Sequence, residues 1–559
     1  MDQIAEQDSV ESREIVNREW VAAFLVAIAT VAIVTLPYVL GYALSGPGIV
    51  FSGVIMNPED TQSYFAKMLQ GYEGHWLYTI PFTPEQHDPA FLGGFYLALG
   101  HFTRWMGLTI DMVWHLARIV ADFFLFMVTF GFIATFLHNR QTRWVAYLLA
   151  LFGSGLGWLL FILQQPYWLG AFPVDFKMPE AHLFFSSMTF PHVALGTGLV
   201  LVSFWLVYQI GARHPKSWFY SVLAGFTNLA IGIAYPFLIY LVVFTTAFYW
   251  LVLTFRARRI DWSLSVRLGI SFIIPVPLYL YYAYANQMND VFRSWADQAV
   301  TSSPPWPHYL IAFGILLFLA ALPISSRKAS SSYVEKMSLL WIWIITAAIL
   351  VYLPINAQRR FVQGVQVPLS ILAAVGLVQI VLPSIANTKL YQKILTHPRY
   401  TDAGLRRLLI TSMILFVSLS NLYVLADVSV TAALRQPYPF FRQESELEVV
   451  DWLHDNTERS AIVLAAYETG NYLAARAGNR VFIGHWAETV DWDLKFDQIS
   501  HFFASSTEDN WRRDLINTYG ISYIWYGPIE RNLGSFDPGT VPYLKQVFEK
   551  DETKLYEVH

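Results

Sequence analysis

Cysteine is absent from this 559-residue chain, and only 14% of its residues carry a charge. Without cysteine, no disulfide can stabilise an exported part of the protein. The chain also has no fixed-period repeat, low-complexity tract, Gly-rich phosphate loop, HExxH zinc motif or nucleic-acid-binding motif. A hydrophobic fraction of 55% beside so few charges lies far outside the usual range of soluble proteins. The composition therefore indicates a membrane protein and gives no sign of a nucleic-acid partner.

Long apolar runs make up most of the chain before residue 428. Each is roughly 18 to 25 residues long, which is enough for a helix to cross about 30 Å of hydrocarbon. They predict a polytopic α-helical membrane protein with about eleven transmembrane helices, at residues 20–44, 109–136, 144–165, 192–211, 219–235, 236–255, 265–285, 309–325, 337–355, 364–383 and 408–428.

The distribution of charge predicts how these helices are oriented. Residues 1–19 are polar and acidic and are followed by no small-residue cleavage site, so we expect a cytoplasmic segment and a retained first helix. Lys and Arg residues concentrate in the loops on the side of the amino-terminus. Because cytoplasmic loops carry the excess of such residues, the amino-terminus is predicted inside the cytoplasmic membrane and the carboxyl-terminal part outside.

The composition changes after residue 428. Short β-like runs, AIVLAAY, RVFIGHW and ISYIWYG, alternate there with helix-like segments, which predicts a small exported α/β domain at residues 429–559. Residues 20–428 then form the membrane domain. Its outer loops are predicted at about 45–108, 166–191, 286–308 and 356–363.

Two adjacent acids follow the first apolar run, in the stretch VIMNPEDTQSYFAKMLQGY. Glu59 and Asp60 have a structural interpretation, because Asn57 can cap a helix whose first turn favours acids. Capping does not explain why the same loop has further ionisable residues at His87 and Asp88. Both a helix start and a functional site fit this stretch.

The second outer loop contains Asp175, Glu180 and His192 among aromatic residues, where the chain re-enters the membrane. Ionisable groups near hydrocarbon are costly unless they pair with one another or serve a site. The alternatives to substrate binding are an ion pair between Asp175 and Lys177 and a packing or capping role for His192.

Three arginines, Arg293, Arg359 and Arg360, lie in the later outer loops, on the side where cations are few. A guanidinium binds phosphate through a fixed fork of donors, which predicts a phosphate-binding role. Contact with lipid head groups is the alternative. In the carboxyl-terminal part, the acids and aromatic residues suit either sugar stacking or ordinary packing: Tyr467, Glu468, His485, Trp486, Glu488 and Trp492.

Taken together, this arrangement resembles the GT-C superfamily of integral-membrane glycosyltransferases, close to bacterial family 39-like and dolichyl-phosphate-mannose-protein mannosyltransferase-like enzymes. The resemblance rests on acids after the first span, a second acidic outer loop, a late outer arginine and an exported domain. Three strings strengthen it: VDFKMPEAHLFFSSMTFPH, QRRFVQGVQVPLSILAAVGL and ETGNYLAARAGNRVFIGHWAET.

The resemblance implies inverting transfer of a hexosyl or pentosyl group from a polyprenyl-phosphate carrier to a glycan, lipid or protein acceptor at the outer membrane face. It implies that Asp60, with Glu59, activates the acceptor and that Arg359 or Arg360 contacts the lipid-linked phosphate. Either Asp175 or Glu180 takes the place of the family's second-loop acid. Some relatives use a divalent cation, so Mg²⁺ or Mn²⁺ is a candidate cofactor, with Asp60, Asp175 and Glu180 as candidate ligands.

Two other functions fit the same chain. A lipid or sugar transporter also has many spans, but its ionisable residues typically meet at the membrane midplane in paired repeats. A non-catalytic subunit with the GT-C fold is the other alternative. The retained acids and the polar outer loops favour the enzyme.

Overall fold

The computed structural model describes residues 17–325 and 331–559. Of the predicted cytoplasmic segment, residues 1–16 lie outside the described residues, and residues 17–19 begin the first long helix. Within the described part, seven helices are long and apolar enough to span a membrane: Asn17–Ala43, Ile110–Phe136, Pro191–Gly211, Ser217–Ala234, Leu238–Ala257, Pro307–Ile324 and Gln358–Ala386.

Two further apolar segments are bent helix pairs that count as one span each if they cross. Trp262–Ile273 and Val276–Met288 meet at 44°, and Asp402–Val417 and Leu419–Arg435 meet at 53°. The seven long helices and the two bent pairs correspond to nine of the eleven predicted spans. The other two predicted spans, 144–165 and 337–355, fall on shorter helices.

The span predicted at 144–165 is interrupted, and the reason lies in its backbone contacts. The Arg140–Phe152 helix stops before a non-helical stretch at 153–156. Asn421 Nδ2 donates to Phe152 O at 2.8 Å and to Gly153 O at 3.1 Å. Leu156 N donates to the carbonyl oxygen of Ile311 at 3.0 Å. Because these contacts satisfy backbone groups that a helix would have satisfied itself, the break is stable in an apolar surrounding.

The remaining helices are short. Their bounds are Pro58–Glu73, Gly94–Met106, Arg140–Phe152, Gly157–Ile162, Val174–Lys177, Leu183–Ser187, Asp290–Gln298, Ser331–Lys336, Ser338–Leu350, Lys389–Leu395, Glu444–Asn456, Tyr467–Arg476, Trp492–Phe503, Asp509–Tyr519 and Pro528–Leu533.

Within residues 17–325 and 331–559, seven strands form two sheets: β1 Ile49–Phe51, β2 Phe441–Gln443, β3 Ile462–Leu464, β4 Arg480–Val481, β5 Ile521–Tyr526, β6 Leu544–Lys550 and β7 Thr553–Val558. β1 pairs antiparallel with β2. The second sheet has the order β4-β3-β5-β7-β6, with β3 parallel to β4 and β5 and with β7 antiparallel to both its neighbours. The three predicted β-like runs are β3, β4 and β5.

The chain divides into two compact units. The first comprises the residues up to Thr35, Arg118–Leu278 and Thr301–Asp427; the second comprises Leu36–Ala117, Tyr279–Val300 and Val428–His559. The second unit therefore combines most of the first predicted outer loop with the carboxyl-terminal sheet.

Close backbone contacts fix the helices inside each unit. In the first unit, a Cβ on Gly376 would lie 1.9 Å from Leu319 O. In the second unit, a Cβ on Gly100 would lie 2.0 Å from Met68 O. Since no side chain fits at either point, glycine is required where these helix pairs cross.

Candidate functional site

The acids of the first predicted outer loop begin the Pro58–Glu73 helix. Asn57 occupies the N-cap position, but its φ is 47° and its side chain makes no capping hydrogen bond. The capping role predicted for the Asn57 side chain is therefore wrong. Glu59 and Asp60 lie in the first helical turn, where the helix dipole favours negative charge. Left-handed backbone at a non-glycine residue is common next to functional groups.

His485 holds the Asp60 carboxylate. Its Nε2 atom lies 3.1 Å from Asp60 Oδ1. The His485 side chain is 7% exposed, whereas that of Asp60 is 42% exposed. The two residues are 425 positions apart in sequence, so tertiary structure alone forms the pair. A reachable carboxylate held by a nearly buried histidine suits proton transfer.

Glu488 is the centre of a buried network in the same unit. Its carboxylate accepts hydrogen bonds from Ser63 Oγ, from Lys67 Nζ at 3.0 Å and from Tyr78 OH at 2.6 Å. Burial alone would raise the pKa of Glu488, but Lys67, His485 and the two hydroxyls hold this pKa below its ordinary value. Burial lowers the pKa of the Lys67 ammonium, and Glu488 opposes that shift. His485 therefore links this network electrostatically to the first-turn carboxylate.

Glu59 has a partner of its own. Burial, together with the Glu59 carboxylate, raises the pKa of the Tyr467 hydroxyl. Asn471 Nδ2 also lies 3.4 Å from Glu59 O. Both partners belong to the Tyr467–Arg476 helix. Residues of the carboxyl-terminal region thus contact both acids of the first loop.

The later ionisable residues of this loop make local contacts. Lys495 Nζ lies 2.6 Å from Glu85 Oε1. His87 Nδ1 lies 2.9 Å from Glu85 O, and His87 Nε2 accepts a hydrogen bond from Ile80 N at 2.9 Å. Burial lowers the pKa of His87, which matches a neutral ring with one donor and one acceptor nitrogen. Both ring nitrogens of His87 are therefore engaged with the backbone.

Asp88 and Arg293 occupy exposed positions of the second unit. The carbonyl of Asp88 accepts a hydrogen bond from Asn289 Nδ2 at 2.8 Å. Arg293 lies 2.9 Å from Asp290, one turn earlier on its helix, and its side chain is 48% exposed. Such surface pairs contribute little energy. Substrate contacts by Asp88 and Arg293 stay predictions.

In the first unit, Glu180, Arg359 and Arg360 gather around Tyr235. The guanidinium carbon of Arg360 lies 5.6 Å from the centroid of the Tyr235 ring. Glu180 and Arg359 both interact electrostatically with Tyr235 and with Tyr309. The structure therefore brings together residues of the second outer loop and of the late arginine turn.

Two polar atoms of this cluster have no hydrogen-bond partner among the described residues. They are Glu180 Oε2 and Arg359 Nε, and both are buried. Glu180 as a whole is 6% exposed. Buried polar groups are nearly always hydrogen-bonded, so unpaired ones at the edge of a charged cluster indicate a place for a ligand or water.

His192 extends the same cluster. Its ring packs edge-on against Tyr235, with 4.7 Å between the ring centroids, and it stacks on Phe190 at 5.4 Å. The residue is 4% exposed. His192 thus supports Tyr235, the residue that Arg360 contacts.

Asp175 makes structural contacts within the first unit. It is fully buried, and its Oδ2 accepts hydrogen bonds from Gly157 N and Ser420 Oγ, each at 2.9 Å. His182 Nε2 lies 3.7 Å from Asp175 Oδ1. Among the described residues, Asp175 forms no ion pair with Lys177, whose side chain is exposed. Of the two candidate acids in the second loop, Glu180 is the one beside the arginines.

A metal centre with Asp60, Asp175 and Glu180 as ligands stays a prediction. In the described part of the chain, no three His, Cys, Asp or Glu side chains are grouped so that they could hold a metal ion. Asp175 already uses its Oδ2 for Gly157 and Ser420.

Several residues of the two clusters were not singled out from the sequence. Tyr235 lies within a continuous apolar run and gives no local signal. Ser63 and Lys67 do give one, because they follow Asp60 by three and seven positions and therefore share its helix face. No local sequence pattern predicts the contact between His485 and the first loop.

Comparisons with known proteins identify the fold. No protein-family model matches the chain, and no curated protein matches it in sequence. ArnT from Cupriavidus metallidurans aligns with 97% of this chain and 98% of its own, with a TM-score of 0.51 and 12% identity. The arabinofuranosyltransferase AftD from Mycobacteria aligns with 98% of this chain but 40% of its own, with a TM-score of 0.53 and 11% identity.

Identity this low shows the fold alone. ArnT and AftD are both polytopic membrane proteins of the GT-C glycosyltransferase fold. The chain therefore has the GT-C fold, and the multi-pass membrane architecture predicted from the sequence is confirmed.

Proposed function

We propose that the protein is a membrane glycosyltransferase that moves a hexosyl or pentosyl group from a polyprenyl-phosphate carrier to an acceptor hydroxyl, with inversion. The observation that carries the proposal is the pair of charged clusters on a GT-C fold. One contains a reachable carboxylate, Asp60, and the other contains two guanidinium groups beside a buried acid. A structural neighbour, ArnT, has been solved bound to undecaprenyl phosphate.

Asp60 is the proposed base. An acceptor hydroxyl is a weak nucleophile until a positioned carboxylate takes its proton as the new bond forms. The Asp60 side chain is 42% exposed and anchored by His485, so an acceptor can reach it while its position stays fixed. Glu59, whose carboxylate raises the pKa of the nearby Tyr467 hydroxyl, is the neighbouring acid that orients the acceptor.

Arg359 and Arg360 are the proposed phosphate contacts. As the glycosidic bond breaks, its electron pair remains on the phosphate oxygen and the negative charge there grows. A guanidinium beside that oxygen stabilises the transition state more than the ground state. The unpaired, buried Nε of Arg359 provides one such donor. Glu180 Oε2 provides an acceptor for a sugar hydroxyl in the same cluster.

The proposed base is tested by in vitro transfer from polyprenyl-phosphate sugars to a panel of glycan, lipid and peptide acceptors. We expect Asp60→Asn to lower kcat by about 100-fold or more, because a general base contributes roughly 10²–10⁴ in rate. The exposed Asp455→Asn variant is the control and keeps wild-type turnover. Equal turnover in Asp60→Asn and wild type would remove Asp60 from the mechanism.

The proposed phosphate contact is tested by donor binding. Arg359→Ala and Arg360→Ala should each weaken binding of a polyprenyl phosphate, whereas the exposed Arg399→Ala should not. Unchanged affinity in both variants would instead favour contact with lipid head groups. Movement of the lipid across vesicle membranes without any glycosidic cleavage would identify a transporter.

A metal requirement is tested separately. Loss of turnover on exhaustive chelation, with recovery on addition of Mg²⁺ or Mn²⁺, would support the predicted divalent cation. Turnover that survives chelation would show that no such ion is required.

A further inference from the structure

We infer that His485 is a positioning residue, which holds the Asp60 carboxylate in the orientation that accepts the proton of the acceptor. The inference rests on the proposed function of Asp60. It assigns to the carboxyl-terminal region a direct part in the reaction, in addition to any contact with the acceptor.

The geometry of the pair is asymmetric. His485 is nearly buried, whereas the carboxylate it contacts is about two-fifths exposed. Nε2 lies 3.1 Å from Oδ1, which is within the range of a hydrogen bond to a carboxylate. The ring thus restrains the acid from the protein side and leaves it reachable from the other.

The backbone around His485 is itself held in place. Its carbonyl oxygen accepts hydrogen bonds from Glu488 N and Thr489 N, each at 2.9 Å. Gly484 N donates to Thr489 Oγ1 at 3.0 Å, and Thr489 Oγ1 donates to Phe82 O at 2.8 Å. These contacts close a tight turn against the first loop. The ring therefore approaches Asp60 from a rigid element, which is what orientation of a reactive group requires.

The other ring nitrogen does not compete for the orientation of His485. Nδ1 is buried and has no hydrogen-bond partner among the described residues. The contact of Nε2 with Asp60 is then the polar interaction that fixes the ring. The tautomer that places hydrogen on Nε2 satisfies both partners, because the ring donates and the carboxylate accepts.

Charged groups surround this contact on two sides. Asp60 and Glu59 belong to the first loop, and Glu488 acts on His485 from its own turn. Both Glu488 and Asp60 act electrostatically on the Lys67 ammonium. His485 therefore interacts electrostatically with Glu488 and contacts Asp60 directly through Nε2.

The step that His485 supports is balanced within the proposed reaction. The acceptor oxygen forms a bond to the anomeric carbon, and its proton passes to Asp60. The bond between that carbon and the phosphate oxygen breaks, and the electron pair remains on the phosphate. His485 neither gains nor loses a proton in this step. It fixes the position of Asp60, which takes the proton.

Kinetics of three variants test the inference. We expect His485→Ala to lower kcat roughly 10- to 100-fold, as removal of an orienting partner typically does, with a small change in KM for the donor. His485→Gln keeps an N–H donor near the same position and should recover most of this loss. His501→Gln, at an exposed histidine of the same region, is the control and should match wild type.

A double-mutant cycle separates positioning from general structural damage. If His485 acts through Asp60, then His485→Ala should cost no further activity in the Asp60→Asn background. Multiplied losses in the double variant, or equal losses in His485→Ala and His485→Gln, would overturn the inference.

A stability readout does not depend on turnover. If His485 contacts Asp60, then the fall in the unfolding midpoint caused by His485→Ala in detergent should be smaller in the Asp60→Asn background than in wild type. Equal falls in the two backgrounds overturn the contact. A smaller fall in a protein without transfer activity supports the contact and counts against the proposed function instead.

Discussion

Lys67 and Glu488 form a buried ion pair, in which each charged side chain is stabilised by a partner far along the chain. Both side chains are under 10% exposed. Removing one member of such a pair leaves an uncompensated buried charge, which typically costs about 3–5 kcal/mol. Each member of the pair is therefore needed mainly because its loss would leave the other charge buried without a partner, and this would destabilise the fold around Asp60.

Lys67→Met tests this dependence. We expect a fall in the thermal unfolding midpoint in detergent, because Glu488 would stay buried without its cation. Lys67→Met combined with Glu488→Gln should recover most of the loss. Lys495→Met is the matched comparison: its partner Glu85 is 33% exposed and can be hydrated, so the fall should be smaller. A larger fall in Lys495→Met would contradict the argument.

The same network predicts how stability depends on pH. The pKa of Glu488 in the folded protein lies below its ordinary value of 4.5, so near and below that pH the unfolded chain binds more protons. The stabilisation from Glu488 is therefore present above about pH 4.5 and is lost as the pH falls through the folded pKa. Unfolding midpoints measured between pH 6 and pH 3 should fall less steeply in Glu488→Gln than in wild type. Parallel curves would show that Glu488 does not contribute.

At the scale of elements, the helix that carries Asp60 is positioned by a backbone contact. Gly71 of this helix would place a Cβ 2.2 Å from Leu97 O, and Gly100 of the adjacent helix would place one 2.0 Å from Met68 O. Neither glycine leaves room for a methyl group. The two helices must therefore separate if either residue becomes larger.

Gly100→Ala should lower the unfolding midpoint and reduce transfer, because overpacking typically costs about 1–3 kcal/mol and would displace the first turn of the Pro58–Glu73 helix. Gly314→Ala is the control, since nothing lies within 4 Å of a Cβ at that helical position. It should be neutral or slightly stabilising. Equal stability of the two variants would show that the helices accommodate the methyl group.

Sequence patterns predicted the elements better than they predicted their interruptions. Apolar length alone located nine spans, because a membrane-spanning helix needs a continuous apolar run. The same criterion failed at 144–165, where hydrophobic residues continue through a break that Asn421 satisfies from another part of the chain. Three strands of the sheet were evident from β-branched and aromatic runs, whereas the strands at 544–550 and 553–558 are more polar and were not predicted.

At the scale of the whole molecule, the predicted orientation is open to direct measurement. The chain has no cysteine of its own, so a single introduced thiol reports one position. A membrane-impermeant maleimide should label Gln86→Cys, an exposed first-loop position, in intact cells. Lys393→Cys, exposed in a predicted inner loop, should be labelled only after permeabilisation. The reverse pattern would overturn the predicted orientation.

The sequence singled out the acids and arginines of the candidate site individually, but it did not predict which of them lie together. Charged residues in an apolar chain stand out individually, which is why Asp60, Glu180 and Arg359 were identified. Which of them meet depends on contacts between distant segments, and a single sequence does not contain that information. Asp175 illustrates the limit, because it is an acid in the same predicted loop as Glu180 but accepts hydrogen bonds from Gly157 N and Ser420 Oγ instead.

The link between Asp60 and His485 also sets an order of events during synthesis. The two residues are separated by 425 positions, so at about 5–20 residues per second the ribosome needs roughly 20–85 s to supply the second after the first. During that interval the nascent chain contains Asp60 but not yet the His485 ring that orients its carboxylate. A translation product that stops short of residue 485 would therefore lack the contact that holds the Asp60 carboxylate, and only a chain extended past that residue can form it.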